Sequence, residues 1–71
     1  MSALNKAVGR KIREARKAAG MTQEDLAAIT GYSRTNIGHI ERGAVTARID
    51  FIDAVANVTR QKIVLELGEY V

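Results

Sequence analysis

The sequence predicts a mainly α-helical domain, a small bundle of four to five helices closed by a short C-terminal segment. Three observations carry that expectation. Apolar residues recur at helical spacing over most of the chain. Cap residues and glycines fall where those patterns start and stop. The chain has no proline and no cysteine, so nothing breaks the periodic segments and no disulfide or thiolate metal site props them up.

In the first helix Leu4, Val8, Ile12, Ala15 and Ala19 share one stripe, with Lys6, Arg10, Arg13 and Lys17 on the opposite side. Gly20 stands at the C′ position that ends it. Thr22 is the N-cap of the second helix, and Asp25 three residues on makes an acidic form of the capping box. Glu24 and Asp25 also suit the positive end of the helix dipole. Leu26, Ala27 and Ile29 supply its apolar contacts up to Gly31. Ser33 caps a third helix that runs to about Arg42 and stops at Gly43. A fourth helix is expected over about 48–58. Ile49, Ile52, Val55 and Ala56 form its core stripe, and Phe51 and Val58 project from another side. A helix with two apolar sides needs two partners, which points to a second layer or a second subunit.

The segment 62–67 alternates Ile63, Leu65 and Leu67 and is rich in β-branched residues, so it reads as a strand. Ile63, Leu67, Tyr70 and Val71 also fit one helix face, at a cost of roughly 0.5–1 kcal/mol for Gly68 within it. A lone strand in a helical domain leaves an unpaired edge. Pairing with the same strand of a second subunit removes that edge, and Phe51, Val58, Ile63, Leu65 and Leu67 are the expected dimer interface.

Seventy-one residues make one small domain. Such a chain buries only about 60–65% of its unfolded surface, so dimerisation is the expected source of added stability. The apolar runs are too short for a membrane span or a signal peptide, and the cytoplasm is the expected location. The balance of 11 Lys+Arg against 8 Asp+Glu gives a net charge of +3. Six basic residues fall from Lys6 to Lys17, with Glu14 the only acid among them. Such a stretch suits a phosphate backbone as well as it suits a solvated helix face.

On the third helix Ile37 and Ile40 point inward, while Arg34, Thr35, Gly38, His39 and Arg42 point outward. That outward face carries no acid and no large apolar group. Arg34 suits a bidentate contact to guanine, and Thr35 a hydrogen bond or a methyl contact to thymine. Gly38 lets the backbone approach a groove floor. Arg42, at the far end, suits a phosphate, as does Gln23 at the start of the preceding helix. His39 has no second good ligand at i±4, so no metal is expected there. No catalytic constellation, phosphate-cradling loop or cofactor motif stands in the chain, and an enzyme is not expected.

The stretch Met-Thr-Gln-Glu-Asp-Leu-Ala, then Thr-Gly-Tyr-Ser, then Asn-Ile-Gly-His-Ile-Glu-Arg-Gly resembles the Cro/C1-type (XRE) helix-turn-helix family. The resemblance covers about residues 8–58, with helix two at about 23–30 and a recognition helix at about 34–42. It implies a lambda-repressor-like fold and a homodimer on double-stranded DNA, with residues 59–71 as dimerisation segment. In that geometry the third helix lies in the major groove. Arg34, Thr35, Asn36 and His39 then read bases, and Gln23, Tyr32, Ser33 and Arg42 hold the backbone. The family pattern also implies a structural pair, Arg16 with Glu41. The loop after Gly43 lacks the proline that many relatives carry. The C-terminal strand-like segment resembles HipB-like antitoxins, which implies a toxin protein as an alternative partner. A restriction–modification controller protein has the same outline.

Overall fold

The computed structural model describes residues 2–65. They form four helices: α1 (Ala3–Ala18), α2 (Gln23–Thr30), α3 (Arg34–Glu41) and α4 (Ile49–Thr59). Among the described residues there is no strand. Helix α1 packs against α3 and α4, and α2 packs against the same two helices.

Local chemistry sets each boundary. Ser2 Oγ accepts from Asn5 N at 2.9 Å to start α1. The helix closes with paired bonds, Gly20 N to Lys17 O at 3.0 Å and Met21 N to Arg16 O at 3.1 Å. The capping box of α2 is complete. Asp25 N donates to Thr22 Oγ1 at 3.0 Å, and Thr22 N donates to Asp25 Oδ2 at 2.9 Å. Gly31, at φ +80°, ends α2 in the left-handed region that a Cβ disfavours. Two residues later Ser33 Oγ accepts from Asn36 N at 3.0 Å and starts α3.

The backbone N–H of Thr22, followed by its hydroxyl, holds the Asp25 carboxyl below the usual carboxylate range. A depressed folded-state pKa adds stability above the unfolded pKa and loses it as pH falls through the folded one. Asp25→Ala is therefore expected to lower the melting temperature at pH 7, and the gap to the wild-type chain should narrow only as pH falls below the ordinary carboxylate range. Thermal unfolding across that range checks it.

The core consists of Val8, Ile12 and Ala15 from α1, Leu26 from α2, Ile37 and Ile40 from α3, and Phe51 and Val55 from α4. Two expectations for α4 are corrected here. Ile49 is 85% exposed, whereas Phe51 is 1% exposed. The inward stripe runs through Phe51, Val55 and Thr59 at i, i+4, i+8, and this turns Ile49 to solvent. Phe51 meets the Tyr32 ring, with centroids 4.3 Å apart and planes tilted by 36°. It fills the monomer core and has no surface left for a second subunit. Ala19 after α1 and Ile29 on α2 are also exposed; Leu26 is the one fully buried residue of α2, and Ala27 packs beside it against the core.

The strand reading is corrected as well. Arg60 adopts φ +56° and breaks the chain away from α4. Residues 61–65 then run without regular structure, and no strand among the described residues offers them a ladder. Val58, Ile63 and Leu65 lean on the core and are half-buried. Leu67 and the rest of the proposed segment lie outside the described residues.

Candidate nucleic-acid interface

Helix α3 is held from behind by apolar packing, a close backbone crossing and a buried ion pair. Ile37 is fully buried and Ile40 nearly so. At the crossing with α1, Gly9 faces the last turn of α3. A Cβ built there would press into Ile40 O and stand 2.7 Å from Glu41 O. Gly43, at φ +75°, then turns the chain beside Lys6, where a Cβ would come within 2.7 Å of the Lys6 Cα. Asn5 Nδ2 donates to Thr46 Oγ1 at 3.1 Å and ties the following loop to the start of α1.

The ion pair joins Arg16 and Glu41. Arg16 Nε donates to Glu41 Oε2 at 2.7 Å, and Nη2 donates to Oε1 at 2.9 Å. Nη1 donates to Met21 O at 2.9 Å. Gln23 Nε2 adds a bond to Glu41 Oε1 at 3.2 Å. The two charged side chains are 9% and 3% exposed. The bonds to Glu41 raise the Arg16 pKa, outweighing the opposing effect of burial. No buried side-chain nitrogen or oxygen among the described residues lacks a partner. One carboxylate thus joins α1, the start of α2 and the end of α3.

The front of α3 is polar. Arg34, Thr35, His39 and Arg42 are exposed, and Asn36 is half-buried. Arg34 Nε lies 3.2 Å from Glu24 Oε1 at the start of α2. Arg42 Nη2 lies 2.9 Å from His39 Nδ1 and donates to it. Gly38 is buried, and the nearest side-chain atoms a Cβ there would meet belong to the Arg42 guanidinium, with Nη1 at 3.1 Å. Of the four residues expected at a DNA backbone, Arg42 and Ser33 are exposed. Tyr32 is half-buried against Phe51, and Gln23 is half-buried with its amide turned to Glu41. Lys6, Arg10, Arg13 and Lys17 form the exposed side of α1.

Sequence reasoning missed Gly9 as a contact point and read Glu24 only through the helix dipole. A signal existed for Gly9: a glycine inside a helix costs about 1 kcal/mol relative to alanine and calls for a reason. The partner of Glu24 had no comparable signal, because the pairing depends on how α2 and α3 meet.

A helix buried on one side and cationic on the other, reached from a preceding helix through a tight glycine turn, defines a helix-turn-helix DNA-binding domain. A family model described as a helix-turn-helix domain matches residues 7–64, and the chain belongs to that family. The match places it among Cro/C1-like helix-turn-helix domains. No curated protein and no solved structure matches the chain. Among the described residues no helix is long and apolar enough to cross a membrane, and no group of three His, Cys, Asp or Glu side chains is placed to hold a metal ion.

Proposed function

We propose that this protein is a sequence-specific transcriptional regulator that binds a near-palindromic operator as a homodimer. The observation that carries the reading is the front of α3, with Arg34, Thr35, Asn36 and His39 on a helix fixed from behind by Arg16 and Glu41. Arg34 pairs with guanine, and Thr35, Asn36 and His39 meet neighbouring base edges. Ser33, Tyr32 and Arg42 hold the phosphates. Gln23 joins them by exchanging its bond to Glu41 for one to a phosphate oxygen, beside the free N–H groups of the α2 N-terminus. The homodimer is supported by the small size of the domain and by its C-terminal apolar residues. Val58, Ile63 and Leu65 are only half-covered, and Val64 is 51% exposed. Repression by blocking polymerase is the expected outcome of operator occupancy.

The test is selection of binding sites from random duplex DNA at several salt concentrations. The reading predicts a two-fold symmetric site with half-sites about 34 Å apart. Arg34→Ala is expected to cost about 1–3 kcal/mol and to relax one position in each half-site. Uniform weakening across all sequences would instead make Arg34 a phosphate contact. Salt-sensitive binding without any enriched sequence would contradict the regulator reading and favour a module that depends on a protein partner.

A further inference from the structure

The arginine assigned to guanine has a carboxylate beside it. Arg34 is the first residue of α3 and Glu24 the second of α2. Their side chains bridge the two helix N-termini, with Arg34 Nε 3.2 Å from Glu24 Oε1. We propose that Glu24 is a positioning residue for Arg34 and so sets the selectivity of the interface. This rests on the reading of α3 as the base-reading helix.

Three features carry the proposal. The closest approach is at Nε, which leaves the end-on pair Nη1 and Nη2 to meet guanine O6 and N7. An arginine has many rotamers, and a carboxylate beside it favours some of them over others, which lowers the freedom lost on binding. Finally, the two side chains are 62% and 67% exposed, and ion pairs this open add little to folding. Stability therefore gives no account of the pairing. The helix dipole accounts for an acid at the start of α2, but not for its meeting Arg34. The same carboxylate stands near the expected phosphate path and repels it. Glu24 thus trades general affinity for DNA against discrimination at one base pair.

The experiment is binding-site selection from a random duplex library with the wild-type chain, E24Q, R34A and the double variant, together with thermal unfolding of each. The wild-type chain should enrich guanine at one position per half-site, and R34A should lose that preference. E24Q should weaken it at the same position, by roughly fivefold, and leave other positions unchanged. It should bind non-specific duplex more tightly, with an unchanged melting temperature. In the R34A background, Glu24→Gln should change nothing further at that position. An E24Q profile identical to the wild type, or one weakened at every position alike, overturns the proposal while the regulator reading stands. An R34A profile that loses no single position overturns it too. A wild-type chain that enriches no site overturns the regulator reading and this inference with it.

Discussion

Gly9→Ala is expected to lower the melting temperature by several degrees, up to about 20 °C. The added Cβ would press into Ile40 O and lie 2.7 Å from Glu41 O, and both are backbone atoms. No rotamer change relieves such a contact, so α1 and α3 must part. Overpacking of this kind costs about 1–3 kcal/mol, more than the 0.5–1 kcal/mol that alanine gains inside a helix. In a domain of this size each kcal/mol moves the melting point by about 4–8 °C. Gly38→Ala makes the same chemical change inside α3 and should have the opposite sign. Its Cβ meets only the end of the exposed Arg42 side chain, which can swing aside. Stability should rise by several tenths of a kcal/mol, while DNA binding weakens as the new methyl occupies the face toward the groove. Thermal unfolding of both variants checks the pair. A Gly9→Ala chain as stable as the wild type would show that the crossing yields easily and does not fix α3.

Arg16→Ala is the second large expected effect. It leaves Glu41 buried at 3% exposure with Gln23 as its remaining side-chain partner, and it removes the bond to Met21 O. Breaking one side of a buried pair costs about 3–5 kcal/mol. The whole domain is worth only about 4–10 kcal/mol, so the variant should lose a third or more of its stability and unfold at much lower denaturant. Replacing both partners, Arg16→Met with Glu41→Leu, should recover most of the stability, because an apolar pair of similar volume avoids the desolvation cost. Chemical denaturation of the single and double variants gives the coupling. If Arg16→Ala unfolds no more easily than the wild type, the pair does not hold α3. The Arg16 side of the pair is insensitive to pH near neutrality. Its raised pKa keeps the contribution intact below the unfolded value and loses it only as pH rises through the folded one, far into the alkaline range.

Much of this architecture is legible from short-range chemistry. Thr22 with Asp25, Ser33, and glycines 20, 31 and 43 bracket α1, α2 and α3, because caps and left-handed turns are decided within a few residues. The inward position of Ile37 and Ile40 follows from helical period alone. The meeting of Arg16 with Glu41 comes from the family pattern rather than from periodicity. What escapes the sequence is tertiary. Helix α4 is apolar on two sides, so its period does not say whether Ile49 or Phe51 faces the core; packing against Tyr32 decides it. Alternation over 62–67 reads as a strand, but residues 61–65 follow the left-handed Arg60 as an irregular tail that only leans on the core. The crossing at Gly9 and the pairing of Arg34 with Glu24 each join distant segments, and neither leaves a periodic trace.

The central claim is that the start of α2 and the front of α3 form the DNA-binding surface, rather than the basic side of α1. Backbone amide chemical shifts of the wild-type chain, titrated with duplex DNA, test it most directly. The account predicts changes concentrated at residues 22–24 and 32–42, with the exposed side of α1 little affected. Changes centred on Lys6, Arg10, Arg13 and Lys17, with α3 unmoved, would contradict it.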